Sequence, residues 1–277
     1  MKRVIALALV LLLVSSVCFG AEGEALLGSL SKLGVSDETL NAELGGSVLA
    51  ITPFTGFKFF DALQSMLAAL GSGRIVAVEI DEYTAGYLLS RAEQYAVFQP
   101  SGTPVYNLNF SMLLRDGDSE LCGRISSAIK DMKADGTLES LKKKYIDGCI
   151  AGTDPDAVKP EHFDGSEILR VALTGDRPPM DYISVAGEPI GFNTALISEV
   201  ARRLKMNAEF ISVDSGARAA ALASRTCDVV FWSESGDFNN RDGADREDMP
   251  EYTLITESYS SCPVVIVTLL SSPLVQK

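Results

Sequence analysis

The stretch Ile168-Leu-Arg-Val-Ala-Leu-Thr-Gly-Asp-Arg-Pro-Pro-Met180 carries the reading of the fold. Ile168–Leu173 is a compact apolar run of strand type, and Gly175–Met180, with its two prolines, reads as a loop. Val185–Pro189 adds a hairpin-like turn. Phe192, Leu196, Val200 and Leu204 then recur at helical spacing and give an amphipathic helix over Phe192–Leu204. Strand Ala208–Val213, helix Gly216–Ser224 and strand Asp228–Trp232 continue the alternation. Strands and helices in alternation build layered domains, so the fold class is α/β.

Upstream, Asp147–Glu167 holds Gly148, Gly152, Pro155, Pro160 and Gly165 among scattered acids. It reads as a linker, with His162 an exposed loop residue inside it. Before it, Leu108–Leu114 is a strand and Asp116-Gly117-Asp118 a polar turn. Leu121, Ile125, Ile129 and Met132 mark a helix that Asp135-Gly136 ends. Leu138, Leu141 and Tyr145 mark a second helix, whose basic run Lys142-Lys143-Lys144 suits the negative end of the helix dipole. Further upstream, Ser47–Thr52 and Arg74–Asp81 are strand-like, while Glu82–Arg91 and a segment from about Phe59 to Leu70 are helical. That alternation leads us to expect parallel pairing. Gly71-Ser72-Gly73 stops the earlier helix and precedes a strand, the wrong context for cradling a phosphate. Ala25–Leu44 reads as one or two short polar-faced helices.

Downstream, Ser235–Pro250 is an acidic loop and Pro263–Leu270 an apolar run. The loop is not a calcium loop, because Asp242 stands where the sharp turn needs glycine.

The chain has 277 residues, with 24 basic and 37 acidic side chains and a net charge of −13. Such a balance repels phosphate backbones, so no nucleic-acid partner is expected. A single histidine and the lack of any CxxC spacing exclude a multi-histidine metal site, a zinc knuckle and a thioredoxin-like centre. Neither a metal nor a cofactor is expected. Lys2-Arg3, the apolar run Val4–Val14 and the small residues up to Gly20 have the layout of a secretory signal cleaved after Gly20. Losing Lys2 and Arg3 with it takes the charge from −13 to −15. Export to the periplasm or beyond permits disulfides. Cys122, Cys149, Cys227 and Cys262 allow three pairings, of which Cys122–Cys149 would tie the start of one helix to the end of the next.

Taken together, Leu169–Met180, Gly187-Glu-Pro-Ile-Gly-Phe192 opening a helix, and Cys227-Asp-Val-Val-Phe231 resemble the family 3 extracellular solute-binding proteins. Gly73–Asp81 with the helix through Tyr87 looks like the end of that family's second lobe, and Phe110–Tyr145 like its closing segment. The resemblance implies a two-lobed, type II periplasmic-binding-protein-like fold. The order is permuted, since the second-lobe remnant and closing segment precede the first-lobe opening. The implied organisation is a signal at 1–20, a second-lobe remnant at 21–104 and the first lobe's closing segment at 105–146. The linker then occupies 147–167, the first-lobe core 168–261, and a strand crossing toward a reduced second lobe 262–277.

The resemblance further implies a cleft for a free amino acid, whose charged ends each need a paired partner on leaving water. Asp81 matches the family's ammonium-binding aspartate and would also cap the helix that follows it. Arg241, or Arg246 if the loop carries an insertion, would hold the carboxylate. Trp232, Ser233 and Ser235 fall where the family has small residues and a hydroxyl. Tyr182 sits in the loop that supplies an aromatic wall, Met180 replaces an aromatic there, and Asp176 is a further polar candidate. The implied function is an exported, non-enzymatic receptor that hands an amino acid to an ABC permease. A sensing or assembly module, dimerised by exchange of the apolar run Val264–Leu270, is the alternative. A dehydratase-like enzyme on the same fold would rely on Glu234 as its acid.

Overall fold

The structure, a computed structural model, describes residues 48–52, 56–60, 62–98, 107–235 and 249–272. The signal segment, the Ala25–Leu44 helices and most of the acidic loop, with Arg241 and Arg246, lie outside the described residues. The chain begins with strands β1 (Val48–Thr52) and β2 (Gly56–Phe60), helix α1 (Leu63–Gly71), β3 (Ala77–Asp81), α2 (Glu82–Arg91) and β4 (Tyr95–Phe98). Next come β5 (Asn107–Arg115), α3 (Ser119–Ala134) and α4 (Thr137–Lys142). A wider turn at Lys143–Asp147 leads from α4 into a last helical turn, Gly148–Ile150. After the linker follow β6 (Ile168–Leu173), β7 (Asp176–Arg177), β8 (Asp181–Ile183), β9 (Pro189–Ile190) and α5 (Phe192–Leu204). The chain continues through β10 (Asn207–Ser212), α6 (Arg218–Ala223), β11 (Val229–Ser235), β12 (Thr253–Ile255) and β13 (Ser260–Leu269).

The fold is α/β, with two lobes sharing one continuous path of strands in the order β10-β6-β11-β5-β13-β3-β1-β2. In the first lobe β6 pairs in parallel with β10 and β11, each reached through a helix, as parallel neighbours require a crossover connection. Side chains alternate across this sheet. Val171, Val229 and Phe231 join Ile125, Ile129, Leu196 and Val200 of α3 and α5 on one face. Ala172, Val230 and Trp232 meet Leu222 of α6 on the other. In the second lobe, Met66, Leu67 and Leu70 of α1 and Leu88 of α2 cover Val78 and Ile80 of β3 and Val265 and Val267 of β13.

β13 joins the lobes. Its Ser260–Pro263 half pairs with β5, and Val264–Val267 pairs with β3. Ile266–Leu269 pairs with β4 on the other side. Ile266 and Val267 therefore have strands of the same chain on both edges, whereas Val264 and Val265 pair on the β3 side and Thr268 and Leu269 on the β4 side.

Three expectations need correction. The strands of the 47–91 block pair antiparallel, not parallel: Val48–Thr52 against Gly56–Phe60, and Leu49–Ile51 against Ala77–Glu79. A hairpin joins β1 to β2, so no helical crossover reverses the chain between them. For the same reason the helix expected from Phe59 starts only at Leu63, since Gly56–Phe60 is a strand. Finally, Cys122 and Cys149 are both free, as are Cys227 and Cys262. The Cys122 thiol faces the Ile255 carbonyl at 3.6 Å and the Cys149 thiol faces the Tyr182 hydroxyl at 3.5 Å. The wide turn after α4 brings Cys149 beside β8, whereas the first turn of α3 lies against β12.

Candidate functional site

The carboxyl ends of β6 and β11 open onto a cavity lined by first-lobe residues, the place where α/β sheets expose loops and helix starts to ligands. Thr174 leaves β6, Trp232 and Ser233 lie toward the end of β11, Asn193 opens α5 and Arg218 opens α6. Tyr259 closes the floor, its ring 6.0 Å from Phe192 and 6.2 Å from Phe231. The space amounts to about 20 Å³, room for one water molecule.

Asp181 organises the rim. It is 4% exposed and accepts from Thr174 N at 3.0 Å, Thr174 Oγ1 at 2.7 Å, Gly175 N at 3.0 Å and Asn193 Nδ2 at 3.0 Å. Asn193 in turn accepts from the Tyr259 hydroxyl at 2.8 Å. Burial holds that hydroxyl's pKa well above the tyrosine range, so it stays a neutral donor. This chain of bonds spends both Asp181 oxygens on fixing the loop that carries Arg177.

Two arginines line the cavity. Arg218 is 4% exposed, donates to the carbonyls of Ser215 at 3.1 Å and Phe231 at 2.6 Å, and lies 4.9 Å over the Trp232 ring. Burial, and then the neighbouring Arg177 charge, push its pKa down to about 10. It is still a cation at neutral pH. Arg177, on β7, reaches across to the second lobe, where its Nη2 lies 3.5 Å from Asp81 Oδ2. Asp81 ends β3 and caps α2, accepting from Thr84 N at 2.9 Å and Thr84 Oγ1 at 2.8 Å.

The residues singled out from sequence divide accordingly. Trp232 and Ser233 line the cavity, and Met180 lines it in the position of the expected aromatic wall. Asp81 lies behind Arg177. Ser235 ends β11. Tyr182 turns away: its ring is 6.1 Å from Tyr87 of α2, and burial beside Cys149 raises its pKa out of the ordinary tyrosine range. The Asp176 carboxyl is also raised by burial, with hydrogen bonds from Thr174 and the Leu63 backbone acting against it, and it contacts the start of α1 instead of the cavity. Arg177, Arg218, Asp181, Asn193 and Tyr259 were not singled out from sequence. Arg218 had a legible signal, a lone charge in the alanine-rich run Ala217–Ala223.

A family model for the bacterial extracellular solute-binding proteins, family 3, matches residues 169–235. That segment holds every cavity-lining residue except Phe110 and Tyr259. No curated protein matches the chain. Among solved structures, YhfZ from Shigella flexneri is 11% identical over 79% of this chain and 67% of its own, with a TM-score of 0.35. A phosphate-binding protein of a phosphate ABC transporter from Streptococcus pneumoniae TIGR4 is 14% identical over 76% and 77%, with a TM-score of 0.33. The PBP AgaA of A. tumefaciens R10, solved with agropinic acid, is 7% identical over 77% and 55%, with a TM-score of 0.39.

Proposed function

We propose, for a chain whose residues 169–235 are a segment of the family 3 extracellular solute-binding proteins, an exported receptor that captures an amino acid for an ABC importer. One observation carries the reading. Two arginines of the first lobe line the cavity, and one of them, Arg177, pairs with Asp81 of the second lobe, so both signs of charge meet at its edge. A zwitterion leaving water needs this arrangement at its two ends. Arg218, fixed by backbone carbonyls and stacked on Trp232, is the carboxylate holder in this proposal, and Asp81 the ammonium holder. Trp232, Phe231 and Met180 supply the apolar wall for the side chain. The cavity admits little more than a water, so capture requires the lobes to part about β13. The signal-like segment supports export, and the linker joining the closing segment to β6 supports a permuted order.

The test is calorimetric titration of the exported chain with the common amino acids, one at a time, followed in parallel by emission of Trp232, the sole tryptophan. Saturable heat with a change in emission is the expected result. No heat and no change across the panel would sink the reading.

A further inference from the structure

Asp81 does not face the cavity directly, because the Arg177 guanidinium stands between them. The Asp81 side chain is 1% exposed and the Arg177 side chain 18%, so the pair is largely withdrawn from water. Its members come from different lobes: Arg177 from β7 of the first, Asp81 from the end of β3 in the second. The backbone around Arg177 is held in place. Its neighbour Asp181 is fixed by four hydrogen bonds, β7 pairs with β8, and Pro178 and Pro179 fix the next two φ angles. The long side chain is thus the movable part.

We propose that Arg177 is a tethered competitor of the ligand: its guanidinium occupies the ammonium position at Asp81 and latches the lobes together until a ligand displaces it. This rests on the reading of the cleft as an amino-acid site. The physical reason is symmetry of charge. A carboxylate as buried as Asp81 requires a cation, and breaking such a pair by removing one member leaves an uncompensated charge. Asp81 already accepts from Thr84 N on Oδ1 and from Thr84 Oγ1 on Oδ2, which leaves Oδ2 one further place for a cation, so a ligand's ammonium and the Arg177 guanidinium exclude each other. Arg177 thereby weakens binding of every ligand that brings an ammonium and leaves unaffected those that bring only a carboxylate.

The experiment compares L-glutamate with glutarate, which keeps both carboxylates and lacks the ammonium, on the full exported chain. Arg177→Ala should tighten L-glutamate at least tenfold relative to glutarate, and Arg177→Lys should stay near wild type. Equal changes for the two acids, or weaker glutamate binding in Arg177→Ala, overturn the competition. A second measurement needs no ligand. Small-angle scattering should show a larger radius of gyration for Arg177→Ala and Asp81→Asn than for wild type and Arg177→Lys. Equal radii overturn the latch. If neither wild type nor Arg177→Ala binds any amino acid, the functional reading fails, and the scattering result decides the latch on its own.

Discussion

At Gly191 the backbone takes φ of 117° as the chain turns from β9 into α5. A Cβ there would lie 2.4 Å from the Met180 carbonyl oxygen and 2.9 Å from that of Pro179. Both carbonyls are in use, accepting from Asn193 N at 2.7 Å and Phe192 N at 3.0 Å. Neither can move without loosening the start of α5 or the loop that carries Arg177. Gly191→Ala should therefore cost roughly 1–3 kcal/mol, from strained backbone and steric overlap together. Urea unfolding would show it as a lower midpoint with an unchanged slope. Gly191 sits within Gly187–Phe192, where the resemblance was legible, but its reason was not. Sequence presents a glycine, and only the approach of Pro179 and Met180 explains it. Arg218 gives the reverse case. A charged side chain at the start of a short helix reads as solvent-facing, and its burial beneath Trp232 depends on β11 lying alongside.

Among the elements, the linker is the least regular and still well anchored. Asn207, at the start of β10, accepts from Phe163 N at 2.8 Å and donates to the carbonyls of Phe163 at 2.9 Å and Ser166 at 3.3 Å. The Val158 amide reaches the Pro189 carbonyl at 3.1 Å. The 147–167 segment thus lies along the first lobe, as its glycines and prolines alone did not foretell. Asn207→Ala removes one side chain that satisfies three backbone groups. The expected loss is about 1–3 kcal/mol, and limited proteolysis should make its first cut between 151 and 167. Helices α2 and α5 were readable to the residue from their spacing and flanking signals. β2 was not: the aromatic run before Leu63 suits helix or strand, and the hairpin with β1 decides.

Over the whole molecule, stability should depend on pH through Glu79. This carboxylate lies mid-strand in β3, opposite Leu49 of β1 and Ile266 of β13, and is 7% exposed. Burial pushes its pKa up to about 7. A folded-state pKa above the unfolded value means full stability below the unfolded pKa and loss as pH rises through the folded one. The window runs from about pH 4.5 to 7, and the loss is about 3 kcal/mol. Unfolding midpoints for wild type should fall between pH 5 and pH 8, and Glu79→Gln should flatten most of that fall. A wild-type midpoint unchanged over this range would contradict the assignment.

Periodicity, turn residues and a matched run of motifs determined the α/β class, the first-lobe order of elements and the segment that carries most of the site. These are local properties: each depends on neighbours within a few residues or one strand–helix unit. The antiparallel second lobe, the free cysteines and the pairing of β13 with β5, β3 and β4 belonged to the tertiary structure. So did the meeting of Arg177 with Asp81, residues 96 positions apart. Such contacts depend on which faces are buried against each other, and burial also lowers the pKa of Arg218 and raises that of Glu79.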